Sequence, residues 1–205
     1  DYPAPDGVDL EVGGTVEDQG DAFGDLGTLL ILIVILVYIV MATQFESLKF
    51  PFIIMFTIPF AFTGVFLALW MTSTPLSLIA LIGAIMLVGI VTKNGIVMVD
   101  YMNLLIERGS GVFDAVIAGG KSRLRPVLMT SFTTILGMLP LAIGTGAGSE
   151  TWQPMGIAVI GGLTFSTILT LFIVPVLYSI LVNRSQRKER EKLARLSAEH
   201  QASKH

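Results

Sequence analysis

Long uncharged runs of apolar residues dominate this chain. A membrane-spanning helix needs about 20 consecutive, mostly apolar residues. The run 26–45 supplies one such helix, and the uncharged run 50–92 is far too long for a single helix. Ser73-Thr74-Pro75 divides the longer run, because proline disfavours helix at the residue before it and has no N–H to donate. The pattern predicts an all-α membrane protein with five spans, near 26–45, 51–71, 76–101, 124–143 and 154–182.

Three shorter segments flank or interrupt the predicted transmembrane domain, 25–183. Residues 1–24 are rich in glycine and acids, and the alternation over 8–12 predicts a short strand that ends an external, periplasmic domain. The segment 110–121 has apolar residues at helical spacing, which predicts a helix lying in the membrane interface. The charged tail 184–205 is predicted to be cytoplasmic, and either helical or disordered.

The charges predict the orientation. The first 25 residues carry eight acids and no base, whereas the last 23 carry seven bases against three acids. Apart from Lys93, the remaining basic residues lie in or beside the connections after the first and third predicted spans. With five spans, these connections are on the same side of the membrane as the tail. Because basic loops stay on the cytoplasmic side, the C-terminus is predicted to be cytoplasmic and the N-terminus external. In a Gram-negative cell the membrane would be the inner membrane and the external side the periplasm.

Composition argues against several function classes. Cysteine is absent, which excludes disulfides and thiolate chemistry. The predicted spans contain neither a nucleophile–base pair nor a set of metal ligands, so we expect no enzyme, no catalytic residue, no metal site and no cofactor. The bases outside the tail are few and lie at membrane boundaries, so we expect no nucleic-acid partner. Because the chain starts without an initiator Met or a signal sequence, we expect a fragment or a processed piece.

Lys93 is the most informative residue, because it lies well inside the third predicted span. A charge at such a position costs about 2.5–3.5 kcal/mol on insertion scales, and such residues are functional candidates by default. Asn94 adds a second polar group beside it. The alternative is that Lys93, two turns from the end of its span, extends to the lipid headgroups.

Arg123 and Thr130 are the next candidates, on the fourth span. Thr130 is seven residues in from Arg123, and Lys93 is seven residues in from Asp100. Seven residues rise about 10 Å in a helix, so Lys93 and Thr130 should lie at similar depth on antiparallel neighbours. The alternatives are a topology anchor for Arg123, a hydroxyl bonded to its own helix for Thr130, and a surface residue or Arg123 partner for Asp100.

Motifs in five segments, 44–48, 51–55, 57–59, 89–97 and 123–131, occur in a characteristic order. In that order they resemble the membrane domain of resistance–nodulation–division efflux transporters. The resemblance covers nearly the whole chain up to Pro175, and the subgroup it resembles most is the AcrB-type hydrophobe/amphiphile exporters. The heavy-metal subgroup typically has an acidic residue in the third predicted span, and Lys93-Asn94 differs from it.

The resemblance implies a twelve-span, trimeric pump, with this chain as spans eight to twelve and a trace of the periplasmic porter domain. It further implies a proton relay in which Lys93, with Arg123 and Thr130, faces a pair of aspartates on span four, and Asn94 and Asp100 are possible supporting residues. The implied partners are the N-terminal half, membrane lipids, a periplasmic adaptor and an outer-membrane channel. The energy source is the proton motive force.

The aspartate pair and the drug pockets of that family have no counterpart in this chain, so we expect that it does not transport alone. Rival hypotheses are a relative that exports metal ions, lipids or protein substrates with the same membrane machinery, and a non-transporting membrane scaffold. A scaffold would have no use for the costly charge of Lys93.

Overall fold

The structure, a computed structural model, describes residues 15–146 and 148–202. This part of the chain is helical, without strands, and the predicted strand at 8–12 lies outside it. The helices are α1 (Thr15–Phe45), α2 (Lys49–Met55), α3 (Ile58–Met71), α4 (Leu78–Glu107), α5 (Val112–Ile143) and α6 (Ser149–Ala202). Five segments are long and apolar enough to span a membrane, namely Asp18–Phe45, Lys49–Met71, Leu78–Glu107, Val112–Ile143 and Ser149–Arg184. The predicted all-α membrane protein with five spans is confirmed.

The second span is broken where the sequence predicted one helix over 51–71. α2 ends at Met55 and α3 begins at Ile58, so that Phe56 and Thr57 form a break in the span. Pro59 lies at the start of α3, where its missing N–H costs nothing. The Thr57 hydroxyl donates to the carbonyl of Ile54 over 2.6 Å. The same carbonyl also accepts the backbone N–H of Thr57 over 3.0 Å, so both groups of Thr57 close the end of α2.

The segment 110–121 is not a separate interfacial helix, which corrects the prediction. It forms the first turns of α5, which runs without interruption from Val112 to Ile143. Gly119 does not end the helix but lets α4 approach, since a Cβ there would lie 2.6 Å from Cγ of Met102. α5 ends at Gly144, whose left-handed φ of 74° favours glycine at a helix C-terminus.

Both terminal helices extend beyond their predicted spans. α1 begins at Thr15, inside the segment 1–24 that we expected to end an external domain. α6 continues to Ala202, so the backbone of the tail is helical as far as the structure describes it. The tail is rich in residues of high helix propensity (Ala, Leu, Glu, Lys and Arg), which carries α6 past the apolar run on which the prediction rested.

The core lies along α6, which packs against α3, α4 and α5. Near the α3–α4 turn, small and branched residues of α3, α4 and α6 form one apolar cluster, which includes Val65, Leu87 and Leu163. Near the α4–α5 connection, a second cluster joins α1, α2, α4 and α6 around Met98 and Tyr178. By contrast α1 leaves most of its apolar surface exposed, as expected for a helix whose environment is lipid or further protein.

Candidate functional site

An open cleft lies on the surface between α4 and α5, about midway along the two spans. Its volume is about 360 Å³. Lys93 and Asn94 line it from α4, and Thr130 lines it from α5. The structure thus brings together three of the residues that the sequence singled out. The remaining lining residues are Ile90, Met129, Ser131, Thr133 and Thr134.

Lys93 is exposed on the open side of this cleft. Within the part of the chain that the structure describes, its ammonium makes no hydrogen bond or ion pair. The described lining of the cleft contains no carboxylate, only amide and hydroxyl groups beside apolar side chains. An ammonium can donate three hydrogen bonds and accepts none, so the amide and hydroxyl oxygens of the lining could accept from it but could not neutralise its charge.

The Thr130 hydroxyl is bonded to its own helix, as the alternative reading of the sequence anticipated. It lies 2.9 Å from the carbonyl oxygen of Val127 and 3.1 Å from that of Pro126. Such a bond uses the hydroxyl proton and leaves the lone pairs on the oxygen. Thr130 is therefore oriented as an acceptor at the cleft, which is compatible with a hydrogen bond from an ammonium.

Arg123 lies outside the cleft lining, against an aromatic ring that the sequence analysis did not single out. Its guanidinium carbon is 4.6 Å from the centroid of the Tyr101 ring. A cation within about 6 Å of a ring centroid is attracted by the ring quadrupole. The Arg123 Nε is buried and has no hydrogen-bond acceptor among the described residues. Spacing alone does not indicate this contact, because Tyr101, eight residues after Lys93, is about 80° away from it around α4.

Asp100 belongs to a different pocket, on another side of α4. This second pocket, of about 260 Å³, lies where the end of α1 meets α4. Glu46 and Glu107 line it together with Asp100. Among the described residues Asp100 forms no ion pair with Arg123, which contacts Tyr101 instead. Asp100 is exposed, as the surface reading expected, but it does not end its helix, because α4 continues to Glu107.

A buried hydroxyl pair behind the cleft was missed by the sequence analysis. Ser131, which lines the cleft, and Thr167 of α6 have their hydroxyl oxygens 2.9 Å apart. Both residues are buried. Thr170, one turn further along α6, is also buried, and its hydroxyl has no partner within residues 15–146 and 148–202. Isolated serines and threonines in apolar spans resemble filler in a sequence, and only the packing of α5 on α6 pairs them.

Comparison with known proteins identifies this helical arrangement. Residues 3–182 match the model of the AcrB/AcrD/AcrF family. The chain belongs to this family. It is therefore part of a transporter of the resistance–nodulation–division type and a multi-pass membrane protein, as the sequence predicted. Members of the AcrB/AcrD/AcrF family are transporters rather than typical enzymes, which is consistent with the expectation of no enzymatic activity.

The relatives within the AcrB/AcrD/AcrF family differ in what their names describe. The chain is 38% identical to the swarming motility protein SwrC of Bacillus subtilis, over 90% of its own length and 18% of the relative. It is 38% identical to the cobalt-zinc-cadmium resistance protein CzcA of Cupriavidus metallidurans, over 90% of its own length and 17% of the relative. It is 42% identical to the multidrug resistance protein MdtC of Erwinia tasmaniensis, over 79% of its own length and 16% of the relative.

A solved structure shares the fold of this family member. The crystal structure of a heavy metal efflux pump matches with a TM-score of 0.74 and 32% identity, covering 83% of this chain and 17% of that one. The chain thus spans less than a fifth of the length of the relatives it matches. Multidrug and metal relatives both appear, so family membership alone leaves the substrate open.

Proposed function

We propose that this chain is the C-terminal membrane part of a proton-driven efflux pump, an antiporter that exports hydrophobic or amphiphilic compounds. The observation that carries the proposal is the unneutralised ammonium of Lys93 in a cleft between two apolar spans. Intramembrane charges of this kind are costly and mark ion pathways. The functional unit would be the α4–α5 cleft, and the energy would come from protons, with no bound cofactor.

The cleft supplies one half of a charge relay. Amide and hydroxyl groups line the cleft beside Lys93, and the counter-charge is expected from carboxylates on spans outside these 205 residues. An ammonium near ionised carboxylates in a low dielectric is attracted strongly, and the attraction is lost when those carboxylates bind protons. Movement of the Lys93 side chain would then convert proton binding into a shift of α4 against its neighbours.

The orientation and partners of this pump follow from the charge pattern and from the resemblance. The basic tail and the α4–α5 connection would face the cytoplasm, and the N-terminus the periplasm, of a bacterial inner membrane. The N-terminal half of the transporter would cover the open side of the cleft. A homotrimer, a periplasmic adaptor and an outer-membrane channel would complete the pump, and lipids would cover the exposed apolar face of α1.

Metal export is a second candidate, because CzcA and the heavy metal efflux pump are both related to this chain. The sequence pair Lys93-Asn94 in place of an acidic residue favours the first candidate. Parallel transport assays with a lipophilic cationic dye and with Zn²⁺ separate the two. Dye export alone supports the drug pump, whereas Zn²⁺ export alone would support a metal pump.

The test of proton coupling uses the complete transporter that contains these spans, reconstituted in liposomes under an imposed proton gradient. Lys93→Ala should abolish dye export while assembly, judged by gel filtration, stays intact. Lys121→Ala is the matched control, because it removes an exposed lysine of α5 outside the cleft. Normal export by Lys93→Ala would contradict the relay and make the residue a headgroup anchor. A complete transporter that assembles but exports neither dye nor Zn²⁺ would favour the scaffold hypothesis.

A further inference from the structure

Three basic residues lie about three turns into α5, and one of them differs from the other two. Lys121 and Arg125 are exposed, as expected for side chains that reach toward headgroups. Arg123, between them, is half-buried and turned against α4. Its guanidinium lies 4.6 Å from the Tyr101 ring centroid, and its Nε is buried without an acceptor among the described residues.

The burial of this Nε requires a cause. A buried, unsatisfied donor is destabilising, and a flexible arginine at a span end can reach water or headgroups instead. The ring of Tyr101 is the group in contact with the guanidinium that offsets this cost. The cation–π attraction grows when the pair is removed from water.

The position of the pair connects it to the cleft. Tyr101 lies eight residues beyond Lys93 on α4, and Arg123 lies seven residues before Thr130 on α5. At 1.5 Å per residue, the pair is about 10–12 Å from the cleft, toward the α4–α5 connection. Beside it the two helices touch at Met102 and Gly119. The pair therefore lies between the open cleft and the point where α4 and α5 close on each other.

We propose that Tyr101 is a positioning residue that holds the Arg123 guanidinium across the cytoplasmic end of the Lys93 cleft. The Arg123 Nε–H is thereby kept available to an acceptor from a neighbouring span or from water entering the cleft. The pair forms a fixed positive cap on the cleft. This inference rests on the proposed proton coupling and adds a residue, Tyr101, and a mechanism of positioning to it.

The expected effects follow from the strength of the contact. Loss of a cation–π attraction lowers the occupancy of the conformation in which the Arg123 guanidinium lies on the ring by about 2- to 30-fold. We expect gradient-driven export to fall by a similar factor. Tyr101→Leu and Tyr101→Met both remove the ring, and Met tests the result if Leu disturbs folding. Tyr101→Phe keeps the ring face and should restore export. Phe113→Leu is the control, because it removes an exposed aromatic side chain at the start of α5.

A double-mutant cycle separates positioning from general packing. In the reconstituted complete transporter, Tyr101→Leu and Arg123→Gln should each lower export and shift its dependence on pH. Combined, they should lower it no further than Arg123→Gln alone, because a neutral glutamine has no charge for the ring to attract. Additive losses, a Tyr101→Leu variant that exports normally, or a Tyr101→Phe variant as impaired as Tyr101→Leu would each overturn the inference.

Export by Lys93→Ala, measured in parallel, distinguishes failure of the Tyr101 inference from failure of the proposed proton coupling. If Lys93→Ala abolishes export and Tyr101→Leu exports with an unchanged pH dependence, the inference fails and the proposed function stands. If Lys93→Ala exports normally, the proposed proton coupling fails, and the cap over its cleft fails with it.

Discussion

The contact between α3 and α6 predicts a large penalty for one added methyl group at Gly161. A Cβ built on Gly161 would lie 2.1 Å from the Cβ of Ala68 and 2.9 Å from the carbonyl oxygen of Gly64. Carbon atoms in contact normally lie about 3.5–4.0 Å apart, so Gly161→Ala must push the helices apart by about 1.5 Å locally. Spans approach this closely only where small residues line both of them.

The size of the effect can be estimated from two opposing terms. Overpacking of a close contact costs about 1–3 kcal/mol. Replacing glycine by alanine inside a helix contributes about 1 kcal/mol in the opposite direction. Gly137→Ala isolates the second term, because a Cβ at Gly137 of α5 meets no described atom within 4 Å. Gly161→Ala should therefore be less stable than Gly137→Ala by about 1–3 kcal/mol.

Reversible unfolding of the purified complete transporter in mixed micelles, followed by circular dichroism, measures this difference. Ala68→Gly combined with Gly161→Ala should recover part of the loss, because it removes one of the two clashing methyl groups. The recovery should be incomplete, since the Gly64 carbonyl oxygen stays close. Equal stabilities of Gly161→Ala and Gly137→Ala would refute the close packing of α3 on α6.

Two further predictions concern buried hydrogen bonds. Thr167→Val removes the hydroxyl that pairs with Ser131 but keeps the shape of the side chain, and should destabilise the protein by about 0.6–1.7 kcal/mol in the same unfolding assay. Thr164→Val, at an exposed hydroxyl of α6, is the control and should change the stability little. Equal losses for the two variants would contradict the pairing. Tyr178→Phe removes the buried hydroxyl that donates to Asn103 and should cost about 1 kcal/mol, more than removal of the exposed Tyr38 hydroxyl; the reverse order would argue against that link.

The sequence predicted the spans well because their physical cause is local. Runs without charge that exceed the bilayer thickness indicate helices wherever they occur, and Ser73-Thr74-Pro75 marked a true break. The break at Phe56 and Thr57 lies beside Pro59, where a proline within a predicted span is expected to kink the span or mark a hinge, but two separate helices were not predicted. The segment 110–121 was predicted to be separate from the fourth span, whereas α5 runs without interruption from Val112 to Ile143.

The depth of the site along the spans could be predicted from the sequence, but the contacts of its side chains could not. Equal spacing from the span ends was sufficient to bring Lys93 and Thr130 to one cleft. Spacing along two helices does not determine their rotation, however, so the contact of Arg123 with Tyr101 rather than Asp100 required the packed structure. The Ser131–Thr167 pair likewise depends on how α5 and α6 face each other.

The most direct test of the central claim is a measurement of proton counterflow. The complete transporter, in liposomes that enclose a pH-sensitive dye, is given an outward-directed gradient of a transported compound, and the internal pH is recorded. We predict that substrate movement drives protons in the opposite direction through the wild-type protein and through Lys121→Ala, and that Lys93→Ala moves none. Proton counterflow of wild-type size through Lys93→Ala would contradict the role of the α4–α5 cleft in coupling.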